Sequence, residues 1–129
     1  MSALLRFVAC IHWGADNASR HSGSRVSFDL ALSRLATLPR FFIEPDGSFV
    51  WRGVMADGQD WQLDGNLIDR GDVLDYVELK GLCPSERLDE ILLALGWPDA
   101  SLAFQLPRLG LFLTEAEFRR QAATPAGAG

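Results

Sequence analysis

The chain has 129 residues, 48% hydrophobic and 22% charged, with a net charge of −5. This is one domain's length, enough for a core without disulfide staples and too apolar for a disordered chain. The acidic balance and single lysine, Lys80, argue against a nucleic-acid footprint, and no apolar run approaches the roughly eighteen residues of a membrane span.

Leu4 to Trp13 predicts a strand with apolar residues on both faces, as for a strand buried on two sides. The opening MSALLRFVAC places small residues before a Cys, as a lipoprotein signal does. Arg6 interrupts an already short run, so a cytoplasmic protein is expected. The polar segment Gly14 to Arg25 follows. Ser27 then reads as a helix N-cap with Asp29 in the first turn, and Phe28, Ala31, Leu32, Leu35 and Leu38 form one apolar stripe before Pro39.

RFFIEPDGSFVWRG predicts a hairpin with a type I turn at Pro45-Asp46 and a left-handed Gly47. That register sets Phe41 opposite Trp51 and Ile43 opposite Phe49. WQLDGNLIDRGDVLDYVEL predicts a second hairpin around the three-residue turn Asp69-Arg70-Gly71. Its expected pairs are Ile68–Asp72, Leu67–Val73, Leu63–Val77 and Trp61–Leu79, with Gln62, Asp64, Asn66, Tyr76 and Glu78 facing solvent. Trp51 and Trp61 are expected on the inner faces of the hairpins. In this setting Arg70-Gly71-Asp72 is a turn rather than an adhesion motif.

Ser85 is expected to cap a second helix with a stripe of Leu88, Ile91, Leu92 and Leu95, ended by left-handed Gly96 and by Pro98. SLAFQLPRLGLFL reads as one or two short strands around Pro107. Thr114-x-x-Glu117 is a capping box for a last helix that ends near Arg119 and Arg120. The expected fold is therefore α+β: a single domain over residues 1–120, with a mainly antiparallel sheet of about five to seven strands built from consecutive hairpins and three helices packed on it. Residues 121–129 are expected to form a flexible tail.

Several chemistries lack their motifs: no P-loop, no dinucleotide fingerprint, no nucleophile elbow, no zincin helix and no Cys-x5-Arg loop. The two cysteines, Cys10 and Cys83, read as buried, reduced thiols. Seven carboxylates against Arg70 between Asp57 and Glu78 read as a solvated strand face and turns, whereas the first forty residues hold five arginines against Asp16 and Asp29. An electropositive end near the N-terminal third follows.

The segment around both histidines carries the candidate chemistry. His12, Asp16 and His21 have donor types for a divalent metal, although the spacing is irregular and no metal or cofactor is assigned. Cys10 and His12, two apart on a strand, share a face and could form a nucleophile and base, so Cys10, His12, Asp16 and His21 are the catalytic candidates. Arg20, Ser22, Ser24, Arg25 and Ser27 before a helix are candidates for binding a small anion such as phosphate. The plainest alternative is a solvated loop. With no assembled catalytic motif, the expected function is a non-enzymatic interaction module with a protein partner or a second copy. A small enzyme or anion-binding domain using His12 to Ser27 is the alternative. Neither nucleic acid nor membrane is expected as a partner.

Overall fold

The computed structural model describes residues 4–14 and 26–123. The chain order is β1 (Leu4–Trp13), α1 (Phe28–Ala36), β2 (Phe41–Ile43), β3 (Ser48–Val54), β4 (Asp60–Arg70), β5 (Val73–Pro84), α2 (Ser85–Ala94), β6 (Leu102–Leu106), β7 (Leu111–Leu113) and α3 (Glu115–Ala122). This is the α+β order expected from sequence. The strands form one antiparallel sheet in the order β2-β3-β4-β5-β1-β6-β7. The first strand therefore lies between β5 and β6, where it joins the meander β2 to β5 to the last hairpin.

Period-two burial gives the sheet one inner face. On β1, Leu5, Phe7, Ala9, Ile11 and Trp13 are buried, while Arg6 and Val8 are exposed and Cys10 and His12 half-buried. This corrects the two-sided burial expected for β1: the strand is interior to the sheet, but only one of its faces is covered. Leu35 of α1, Leu88, Ile91 and Leu92 of α2 and Phe118 of α3 join the inner residues in one continuous cluster. The three helices thus cover the same side. Phe118 stacks on Phe104 at 4.5 Å and meets Phe7 edge-on at 5.0 Å, which fixes α3 over β1 and β6.

Local chemistry sets the joints. Ser27 accepts from the Leu30 amide at 3.1 Å as the N-cap of α1. The first hairpin has its expected register, Phe41–Trp51 and Ile43–Phe49, with Gly47 at φ 95°. A Cβ on Gly47 would lie 2.7 Å from the Leu67 carbonyl oxygen, so this turn needs glycine for space as well as for its backbone angle. Gly96 and Trp97 donate to Leu93 and Leu92 carbonyls at 3.2 and 3.0 Å, completing a Schellman end for α2. The next carbonyls there accept from Arg34 (Ala94, 3.2 Å) and the Trp13 indole (Leu95, 3.2 Å). The capping box Thr114–Glu117 forms in both directions.

Two expectations change. In the β4–β5 hairpin, Leu67 pairs with Val77, Leu63 with Gly81 and Arg70 with Val73, and the register shifts between Ile68 and Asp69. The strands are slid by four residues from the expected pairing. An even slide keeps residues 61–68 on their faces, and the irregularity near the turn lets Leu74 and Val77 both point inward while Val73 is exposed. At α2, Ser85 is the first helical residue and Pro84 the N-cap, with no side-chain cap. The Ser85 hydroxyl instead accepts from Arg119 at 2.7 Å. The last helix runs to Ala122, so residues 121 and 122 of the expected tail are helical, and residues 124–129 lie outside the described residues.

Candidate functional site

With all three helices on one side, the opposite side of the sheet is bare. Its side chains follow from the register. Cys10 is paired with Glu78 on β5 and with Gln105 on β6, Glu78 with Asn66, and Gln105 with Phe112. The next row down sets Val8 beside Lys80, Lys80 beside Asp64, Asp64 beside Val50 and Val50 beside Phe42. The bare face is thus apolar at its flanks, where Val8, Phe42 and Phe112 are 46%, 64% and 58% exposed, and charged at its centre. A hollow of ≈ 330 Å³ lies over this centre, between β4, β5 and β1 and against Pro107.

His12 stands at one end of the face. Its Nε2 is 2.9 Å from the Gln105 Oε1, and its ring stacks on Tyr76 at 5.3 Å and lies 5.6 Å from the Phe112 ring. With the amide oxygen as acceptor, Nε2 carries the proton and Nδ1 is the nitrogen left to accept. Burial and the neighbouring Glu78 and Cys10 push the Tyr76 phenol up from its usual value. It therefore stays protonated through the neutral range.

Cys10 shares the face with His12, as their spacing predicts, but the His12 Nε2 is engaged with Gln105. Burial first, and the Glu78 carboxylate second, push the Cys10 thiol up, a setting that disfavours a thiolate at neutral pH. Cys10 is half-exposed rather than buried, which corrects one of the two thiols; Cys83 is fully buried, and burial pushes it up to about 12. Of the anion-binding candidates, Ser27 is spent on the cap of α1. Asp16, Arg20, His21, Ser22, Ser24 and Arg25 lie outside the described residues. Among the described residues, no three His, Cys, Asp or Glu side chains gather as a metal site, and no helix is long and apolar enough to cross a membrane.

Sequence reasoning missed Tyr76, Gln105 and Phe112 as neighbours of His12. Strand alternation marked Tyr76 as outward-facing, but Gln105 is 93 residues from His12 in the chain. Only the placement of β1 between β5 and β6 brings them together. Comparison with protein-family models, with curated proteins and with solved structures finds no match to this chain.

Proposed function

We propose that this domain is a non-enzymatic interaction module that self-associates through the bare face of its sheet. The observation that carries the reading is the charge pattern on that face. Glu78 and Lys80 are exposed, two apart on β5, and point to the same side. A two-fold axis lying in the interface and crossing β5 at the level of Leu79 sets Glu78 of each copy against Lys80 of the other. The same axis places Asp64 over Asn66 and Val8 over Cys10, because these residues occupy the matching rows of β4 and β1. A closed two-fold contact demands this kind of self-complementarity. The exposed Val8, Phe42 and Phe112 supply apolar area around the charges.

Charge reversal tests it. Sedimentation equilibrium is expected to show a dimer for the unaltered chain. Lys80→Glu, which sets carboxylate against carboxylate, is expected to give a monomer. The double exchange Glu78→Lys with Lys80→Glu restores complementarity and is expected to restore the dimer. Both positions are exposed, so the variants should fold alike. A monomer at every concentration for the unaltered chain, or a dimer indifferent to the single reversal, overturns the reading.

A further inference from the structure

At the end of the bare face opposite His12, arginines converge. Arg6 is paired with Leu82 across β1 and β5, and Arg52 with Gln62 across β3 and β4. Leu82 and Gln62 are the next step of the β4–β5 register beyond Leu63–Gly81. Arg40 falls beside Arg52, one step beyond the Phe41–Trp51 pair. One row across the sheet therefore reads Arg6, Leu82, Gln62, Arg52, Arg40.

All three arginines line a single hollow of ≈ 690 Å³, with Asp60 the carboxylate on its wall. A second hollow of ≈ 420 Å³ shares Arg40, Arg52, Gly53, Val54 and Trp61 with the first, so the two are lobes of one groove around the end of β3. This size is that of a small-molecule site. A Cβ on Gly53 would lie 2.3 Å from the Trp61 ring; without it the indole lies against the β3 backbone and forms the floor between the lobes.

Two further features separate this cluster from a chance of surface charge. First, among the described residues the guanidinium groups of Arg6, Arg40 and Arg52 have no ion pair or hydrogen-bond partner. Arg34, Arg70, Arg87, Arg119 and Arg120 all have interactions. Gathering three unpaired cations in an acidic chain costs Coulomb repulsion that a bound anion would remove. Second, Arg40 holds φ 62°, the one non-glycine residue at positive φ in the described chain. The Phe41 amide donates to the Leu38 carbonyl at 3.2 Å, with Pro39 and Arg40 between them, a type II turn whose third position favours glycine. The Trp51 indole donates to the Pro39 carbonyl at 2.8 Å and holds this turn on β3. The fold keeps an arginine where glycine would be easier, and that arginine is in the groove.

The geometry points to a binding groove for a small molecule carrying linked phosphate groups, held by Arg40 and Arg52 at one end and by Arg6 at the other. Guanidinium forks match phosphate oxygens two at a time. Arg6 and Arg52 stand three strand spacings apart, about 14 Å between their backbones. Their side chains reaching inward leave a gap suited to two linked phosphates rather than one. Val54, Leu82 and Trp61 offer apolar wall to the rest of such a molecule.

The test is calorimetric titration at low salt with inorganic pyrophosphate, orthophosphate and citrate. It is run on the unaltered chain and on Lys80→Glu, so that self-association and ligand binding are read separately. Pyrophosphate is expected to bind at least tenfold more tightly than either comparator, in both proteins. Arg52→Gln and Arg40→Gly are each expected to weaken it by roughly ten- to a hundredfold. Arg40→Gly relaxes the turn, so its thermal midpoint should hold or rise, and lost binding cannot then be ascribed to lost folding. Orthophosphate as tight as pyrophosphate overturns the two-phosphate assignment, and citrate as tight overturns the phosphate class. Absent binding, or binding that both variants retain, overturns the site.

Discussion

Arg119 and the trio Arg6, Arg40 and Arg52 put the same side chain to opposite uses. Arg119, on α3, donates to Glu115, to the Ser85 carbonyl at 3.1 Å, to the Ser85 hydroxyl at 2.7 Å and to Asp89 at 2.5 Å. Its guanidinium carbon also lies 5.8 Å from the centre of the Trp97 ring. Only 17% of that side chain is exposed. At the far end of the sheet, three guanidinium groups share a groove and have no protein partner among the described residues. The first arrangement ties two helices together and leaves nothing for a ligand. The second contributes nothing visible to the fold and leaves its donors unspent. An arginine's role is read from what its donors already hold, not from its exposure alone.

The largest expected effect breaks the first half of this comparison. Arg119→Ala removes charge-assisted bonds and strands Asp89 and Glu115 without their cation. It is expected to lower unfolding free energy by about 2–3 kcal/mol, measured by urea denaturation. Arg119→Lys should recover little, since a single ammonium cannot reproduce the fork that reaches both Ser85 and Asp89. A loss below about 0.5 kcal/mol for the alanine variant would show that the helix corner does not depend on this hub.

Cys83 lies at the end of β5 that leads into the same corner, and there burial outweighs the nearby Arg119 cation, raising the thiol to about 12. A thiol in the unfolded chain ionises near 8.5. With the folded value raised, the stabilisation is complete below the unfolded value and is lost as pH rises from about 8.5 towards about 12. Unfolding free energies at pH 7 and pH 10 are expected to differ by about 1–2 kcal/mol more in the unaltered chain than in Cys83→Ala. Equal pH slopes in the two proteins would mean that Arg119 or solvent reaches the thiol.

The sequence carried the local parts of this structure well. The caps at Ser27 and Thr114, the Gly47 turn and the Gly96 helix end each depend on residues within a few positions of one another, and all are present. What was lost was decided at long range. The apolar residues on both faces of β1 do not say which face the helices will cover. The β4–β5 register was ambiguous because an even slide preserves inside and outside, and only an irregularity near the turn resolves it. Ser85 has the right chemistry for a cap, but Arg119, 34 residues away, takes its hydroxyl. The charge distribution did indicate an electropositive N-terminal third. Arg6 and Arg40 from that third meet Arg52 of β3 through the sheet order, while the polar segment before α1 drew attention by composition alone. Nothing local announces that Arg40 will adopt a left-handed backbone, since the residue after Pro39 is not a glycine.

The smallest expected effects sharpen the second half of the comparison. If the groove arginines are unspent, their removal should leave the fold almost untouched. Arg40→Gly exchanges a strained left-handed arginine for the residue that type II turns favour. Relief of that strain is partly offset by the greater freedom of glycine in the unfolded chain, leaving a gain of about 0.5 kcal/mol. Arg52→Gln keeps the aliphatic stem and removes only the charge, so its unfolding free energy should stay within about 0.5 kcal/mol of the unaltered chain. Relief of repulsion among the cations should make any change favourable at low salt and smaller as salt is added. A loss above about 1 kcal/mol for Arg52→Gln would mean that its guanidinium supports the fold as Arg119 does, and the distinction between spent and unspent arginines would fail at the groove.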